Sequence, residues 1–402
     1  MRFNDDRDWF FQKRFGMFVH WGLYAIHGLH EQEQQRFDVP SDEYHKLINQ
    51  FNPTAFDPDT WLDLAETAGM EYLVFTTKHH DGFCMWNTAL TDFNVMNTPY
   101  NQDIAGQLAT ACARRNVPLE FYYSVVDWHH AAYPNLGRHH EIVTDSAHHD
   151  MTRYMEFLKG QIRELCRNYG TVHGIWWDMN VPDHRDPSVT AMIRELQPAA
   201  VINNRGFDDG DYSTPERDFD PDAANPDARA FQRPTEACQS VGVNSWGFRK
   251  NEDYFSITHL MRAIDSALAR GGNYLLNVGP DAQGRIPPES TALLTAIGNW
   301  YHKVKEAFCP PAPGLVEDTS ILTTRDDSAT YVHCPAGLTS STLSLYPITN
   351  PPQSAILLNT GTPVEVTLEP VIYQRPLGKH VRLRNIPVDT LNDTVPIFKL
   401  IF

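Results

Sequence analysis

The chain has 402 residues, more than one small domain uses and enough for a barrel of roughly 250 residues with an accessory domain. Apolar residues make up 42% and charged residues 21%, the proportions of a folded globular protein, which excludes a disordered or fibrous chain. With 33 Lys and Arg against 50 Asp and Glu the net charge is −17, a field that repels phosphate backbones and anionic membranes, so neither nucleic acid nor membrane is expected as a partner.

The polar start, Met1-Arg-Phe-Asn-Asp-Asp-Arg-Asp, has no apolar leader, and no apolar run reaches the roughly 18 residues a spanning helix needs, so a cytoplasmic protein is expected. Cysteines at 84, 112, 166, 238, 309 and 334 lack CxxC spacing, which predicts buried thiols rather than a zinc cage or a disulfide framework. Association into a homo-oligomer is left open.

In chain order, an apolar run over 15–21 predicts the first strand. Asp57-Pro58 then supplies a cap and a first-turn proline for a helix over 58–68, whose apolar Trp61, Leu64, Ala65 and Ala68 have helical spacing before Gly69. Strands follow at 72–77 and 119–124. Tyr154, Leu158, Ile162, Leu165 and Tyr169 recur every three or four residues and predict a helix over 150–169, leading into a strand at 174–178. Further strands are expected at 200–203, near 230–236 and at 274–278, with helices near 253–270 and 288–306. This alternation predicts an α/β protein with a distorted (β/α)8 TIM-like barrel over residues 1–308; an open doubly wound sheet is the rival. After Cys309-Pro-Pro-Ala-Pro-Gly314, short β-rich stretches separated by turn residues predict a C-terminal antiparallel β-sandwich domain over 309–402.

Barrel enzymes carry their chemistry where strands end, and several strands here end in polar groups. Phe15-Gly-Met-Phe-Val ends in His20-Trp21, and Tyr72-Leu-Val-Phe-Thr-Thr ends in Lys78-His79-His80-Asp81. Phe121-Tyr-Tyr-Ser-Val-Val ends in Asp127-Trp128, and Gly174-Ile-Trp-Trp ends in Asp178. Aromatic faces beside many hydrogen-bonding groups suit a sugar, whose C–H face stacks on rings while its hydroxyls demand partners. Glycoside hydrolysis needs two carboxyl groups flanking the scissile bond. Asp178 is the candidate for the ionised one. Its partner lies further on, at Glu216 or Glu236, between which composition does not choose.

Arg14-Phe-Gly-Met-Phe-Val-His-Trp-Gly, Thr77-Lys-His-His-Asp-Gly-Phe, Tyr122-Tyr-Ser, Trp177-Asp178, Ser245-Trp-Gly-Phe and Gly271-Gly-Asn-Tyr-Leu-Leu-Asn-Val-Gly-Pro280 together resemble glycoside hydrolase family 29, the α-L-fucosidases. The resemblance spans nearly the whole barrel. It implies a retaining hydrolase acting on fucosylated oligosaccharides or small fucosides, with no metal and no cofactor. By motif position it implies Asp178 as nucleophile at the end of the fourth strand and Arg205 as the substrate-binding arginine that follows the next strand, with His20, His79, His80 and Tyr123 on the fucose hydroxyls. Trp21, Trp176 and Trp246 are expected near the sugar, Glu216 as acid/base, Glu236 as the alternative, and Glu31 in preference to Glu33 as the glutamate after the first strand.

Two departures from the family pattern stand out. Its usual Asn-Asp-Arg is Asn203-Asn204-Arg205 here, and its Trp-Glu is Thr235-Glu236. Two other functions compete: a metal-dependent hydrolase with His20, His79 and Asp178 as ligands, and a sugar-binding module without turnover. Adjacent His79 and His80 would point to opposite faces of a regular strand, which counts against a shared metal.

Overall fold

The structure, a computed structural model, describes residues 1–217, 229–370 and 378–402. The chain forms two compact units and passes between them at several points. One contains Met1–Pro215, Cys238–Tyr254 and Leu275–Ala292, the other Glu216–Ala237, Phe255–Tyr274 and Leu293–Phe402.

The first unit is built on strands β1 (Phe15–Val19), β2 (Tyr72–Lys78), β3 (Leu119–Ser124), β4 (Gly174–Asp178) and β5 (Val201–Ile202), which pair in parallel. β6 (Glu236–Ser240) and β7 (Asn273–Val278) extend the sheet beyond β1 in the order β5-β4-β3-β2-β1-β7-β6. This is the TIM-like distorted barrel wall expected from the alternation, with seven strands among the described residues. The strand anticipated near 230–236 begins only at Glu236.

The helix Pro58–Ala68 forms where its caps predict: the Asp57 carboxylate accepts from the Asp59 amide, and Gly69 takes φ +81° to end it. Asp150 likewise caps Met151–Asn168. Two more helices, Ile104–Arg115 and Pro187–Leu196, start at Asp103 and Asp186 caps. Inside the sheet, Phe18, Val74, Tyr122 and Trp176 from alternate strand positions pack with Phe10, Val201, Tyr212 and Leu275 into one buried cluster. This apolar floor lies beneath the strand ends.

The second unit holds an antiparallel sheet of β8 (Leu322–Arg325), β9 (Thr330–His333), β10 (Leu343–Leu345), β11 (Ser354–Leu357), β12 (Thr362–Glu369), β13 (His380–Arg384) and β14 (Ile397–Ile401). Their order is β10-β13-β12-β11-β14-β9-β8. The expected sandwich is one continuous sheet curled around Val332, Leu345, Leu357, Val381, Leu383 and Phe398. The helix Ile257–Ala269 belongs to this unit, and its Asp265 Oδ1 meets His333 Nδ1 at 2.8 Å with both side chains fully buried. All six cysteines carry thiols rather than disulfides. Among the described residues no helix is long and apolar enough to cross a membrane.

Candidate active site

Asp178 is the last residue of β4, opposite Ser124 in the β3 register, with Trp176 opposite Tyr122 two residues earlier. Strand alternation therefore turns Tyr122, Ser124, Trp176 and Asp178 to one face. The Tyr122 hydroxyl donates to Asp178 Oδ2 at 2.8 Å, and the Arg205 guanidinium donates to Oδ1 at 3.0 Å. Burial alone would raise the Asp178 pKa; Arg205, His80 and the Tyr122 hydroxyl outweigh it and hold the carboxyl below its ordinary value. Both oxygens of an ionised carboxylate are thus held in place.

Arg205 is itself held. Its Nε donates to the Thr214 hydroxyl at 2.6 Å, its second terminal nitrogen donates to the Thr214 carbonyl at 2.7 Å, and its guanidinium carbon lies 5.0 Å from the centre of the Trp176 ring. Asn203, in the motif that departs from the family pattern, accepts from the Trp177 amide at 3.0 Å and donates to the Trp177 carbonyl at 2.9 Å. Its side chain thus substitutes for a third residue of the two-residue strand β5 and fixes β4 one position before Asp178.

The register of β2 and β3 shifts between Thr76 and Lys78, and His79 and His80 follow the end of β2. They escape strict alternation and their rings lie 4.1 Å apart. His79 stacks at 10° on Tyr122, with the His20 ring 5.7 Å away. His80 Nδ1 lies 2.7 Å from Ser124 Oγ, which gives its only proton to the Val126 carbonyl at 2.7 Å. The imidazole must then donate from Nδ1, leaving the lone pair on Nε2. Burial pushes the His80 pKa down to about 4 although Asp178 opposes this, and burial together with His80 and His20 pushes His79 well below its usual range.

His20 is fixed in the same way. Its Nδ1 meets Asn277 Oδ1 at 2.7 Å, while Asn277 Nδ2 donates to the Trp246 carbonyl at 2.6 Å, an acceptor that fixes the amide's orientation. Glu31 is buried and accepts from the Ser245 hydroxyl at 2.6 Å and from the Trp246 amide at 3.0 Å. Burial would raise its pKa, but His30 and the Ser245 hydroxyl lower it overall. Trp246 is therefore gripped at both backbone atoms, and its ring lies 5.3 Å from His20.

The structure thus gathers Asp178, Arg205, His20, His79, His80, Glu31, Trp176 and Trp246. Two expected residues face elsewhere. The Tyr123 hydroxyl donates to Gln161 at 2.6 Å on the helix side of β3, so its neighbour Tyr122, one residue out of phase, takes the place beside Asp178. Trp21 donates from its indole to the Asp281 carbonyl at 2.9 Å and packs against Phe51, Phe56 and Trp61 as core. Glu236 opens β6 and is fully buried, whereas Glu216 is exposed; both belong to the second unit and Asp178 to the first. Sequence reasoning missed Tyr122, Ser124 and Asn277. Counting back in twos from Asp178 across the register finds the first two.

The α-L-fucosidase family profile matches residues 3–306. Human tissue α-L-fucosidase is 28% identical over 361 residues, covering 80% of this chain and 74% of that one. Among solved structures, α-L-fucosidase isoenzyme 1 from Paenibacillus thiaminolyticus superposes with a TM-score of 0.87 at 31% identity, covering 99% of both chains. A Bacteroides thetaiotaomicron family 29 α-L-fucosidase, trapped as a covalent intermediate with 2-fluoro-fucosyl fluoride, gives a TM-score of 0.81 at 28% identity, covering 99% of this chain and 96% of that one. The chain is a glycoside hydrolase and belongs to the α-L-fucosidase family, glycoside hydrolase family 29.

Proposed function

We propose that the protein releases terminal α-L-fucose with retention of configuration, and that the barrel region 1–308 carries the chemistry while 309–402 supports it. The observation that carries this reading is Asp178: a strand-end carboxylate held below its ordinary pKa, oriented by Tyr122 and Arg205, with the buried His80 acting on it. The covalent intermediate trapped in the Bacteroides relative supports the same route.

In the first step the Asp178 carboxylate bonds to the anomeric carbon as the glycosidic C–O bond breaks, and protonated Glu216 gives its proton to the departing oxygen. In the second, water attacks the same carbon, its proton passes to Glu216 and the ester bond to Asp178 breaks. Two inversions restore the α configuration. His79 and His80 bind hydroxyls rather than carry protons, since burial pushes both imidazoles below the usual histidine range, and His20 binds a hydroxyl beside them. The metal-ligand reading of His20, His79 and Asp178 is disfavoured because both Asp178 oxygens are already engaged by Tyr122 and Arg205.

Hydrolysis of an aryl α-L-fucoside, followed by time-resolved NMR of the released sugar, tests the reading. α-L-Fucose should appear first and the β anomer only through mutarotation. Initial β product would mean inversion, and faster release from the matching α-L-galactoside or β-D-galactoside would overturn the assignment of the sugar.

A further inference from the structure

We infer that His140 is a specificity residue outside the fucose pocket, accepting a hydrogen bond from a hydroxyl of the second sugar, the one that departs. This rests on the reading of Asp178 as the centre of a fucose pocket. His140 lies on the loop that follows β3, and its ring stands 5.8 Å from that of His80, tilted by 32°. Ser124 holds His80 and pairs in register with Asp178, so His140 is one ring further out along the same series. The charge of Asp178 is felt at both imidazoles. Where His20, His79 and His80 are buried, His140 is half-buried, as the mouth of a pocket requires.

Two side chains fix its presentation. The buried Gln32 places Oε1 2.9 Å from His140 Nδ1, and the same oxygen accepts from Arg36 Nε at 3.2 Å. Arginine nitrogen only donates, so the Gln32 atom is the amide oxygen and the imidazole donates from Nδ1, which leaves Nε2 as an acceptor. The Trp128 indole donates to the His140 carbonyl at 2.9 Å and clamps the backbone. That backbone has φ +58°, the left-handed region, which costs a non-glycine residue about 1 kcal/mol and is kept where surrounding contacts over-determine it. Burial, His139 and Arg36 all depress the His140 pKa, so near neutral pH the ring remains an acceptor. A neutral imidazole with a fixed tautomer, held at the rim, recognises a hydroxyl; an aryl leaving group offers none.

The test compares the unmodified protein with His140→Ala and with His140→Phe, which keeps a ring but has no acceptor. For each, kcat/KM is measured on an aryl α-L-fucoside and on an α-fucosyl disaccharide whose second ring carries hydroxyls. Both variants should lower the ratio of disaccharide to aryl kcat/KM tenfold or more, mainly through KM on the disaccharide, and His140→Gln, which restores an acceptor, should recover part of it. Equal losses on the two substrates, no loss on either, or a His140→Phe variant that retains the disaccharide would overturn the proposal. If the unmodified protein released no fucose from either substrate, the underlying fucosidase reading would fall as well, a result separable from any effect of the variants.

Discussion

Tyr122 and Asp178 come from adjacent parallel strands, and the phenol donates to the carboxylate at 2.8 Å with both groups buried. That contact favours the ionised acid, in the same direction as Arg205 and against burial. Tyr122→Phe should raise the Asp178 pKa, move the acid limb of the kcat/KM profile to higher pH and reduce kcat/KM about tenfold at neutrality, ~1.4 kcal/mol of transition-state stabilisation. Tyr123→Phe, which removes only the bond to Gln161, should leave the limb where it was. A profile unmoved by Tyr122→Phe would reject the role given to the phenol.

Ser124 fixes the tautomer of His80. Ser124 accepts from His80 Nδ1 and passes its proton to the Val126 carbonyl. Ser124→Ala removes the acceptor that compels Nδ1 protonation, and the ring can then turn its N–H toward substrate. We expect kcat/KM to fall about tenfold while the fold persists, since the change deletes one hydroxyl. Nitrogen NMR shifts of His80 should report a mixture of tautomers in the variant and a single one in the parent. A single unchanged tautomer in both would show that Ser124 does not control it.

How much of this was legible in the sequence depends on where each residue sits relative to regular structure. Asp178 ends an unbroken apolar strand, and Asp57-Pro58 opens a helix with nothing ambiguous around it, so both were readable. β6 is hard to place because Glu236-Ala-Cys-Gln-Ser240 is buried throughout yet has no apolar run to betray it. The motif Tyr122-Tyr-Ser does not state its phase, so it points to Tyr123 where the structure places Tyr122, and a one-residue slip reverses the face. His79 and His80 look incompatible until the register shift in β2 is known. Contacts such as Asn277 with His20, or Glu31 with the Trp246 amide, join residues more than 200 positions apart and have no local signal.

The pH dependence of stability should have two opposing arms. His80 is buried with its pKa lowered to about 4, so the unfolded state binds more protons between the ordinary histidine value of 6.5 and 4. Its contribution is complete above 6.5 and is lost as pH falls through 4. Glu33 behaves oppositely: burial, and then the charge of Asp81, raise it to about 8, so its contribution is complete below its ordinary value of 4.5 and is lost as pH rises through 8. Its Oε1 meets His27 at 3.0 Å while Oε2 is buried without a partner. Glu33→Gln removes the ionisation, so thermal melts should show a Tm several degrees above the parent at pH 8 to 9 and nearly the same Tm at pH 5. A Tm difference that does not vary with pH would show that Glu33 is not the group responsible.

The two carboxylates can be assigned through the stereochemistry of rescue, which tests mechanism and residue identity together. Asp178→Ala should abolish turnover of an α-fucoside, since nothing else can form the ester. Azide has room to attack from the vacated face with a single inversion, so the expected product is β-L-fucosyl azide. Loss of the acid/base acts later. With an activated aryl leaving group the first step needs little acid, so in Glu216→Ala the fucosyl ester on Asp178 still forms, its hydrolysis stalls for want of a base, and azide intercepts it with a second inversion to give the α-azide. A retaining pair requires the two carboxyl groups to approach to about 5 to 5.5 Å when substrate is bound. Three residues compete for the second role: Glu216, exposed and placed by motif after Arg205; Glu236, fully buried at the start of β6; and Glu31, whose Oε2 already accepts from Ser245 and Trp246. The commitments of Glu31 make it a positioning group for Trp246, so Glu31→Ala should slow both steps and give no azide rescue. If Glu236→Ala yields the α-azide and Glu216→Ala does not, the acid/base is Glu236 and the motif position of Glu216 after Arg205 does not mark it.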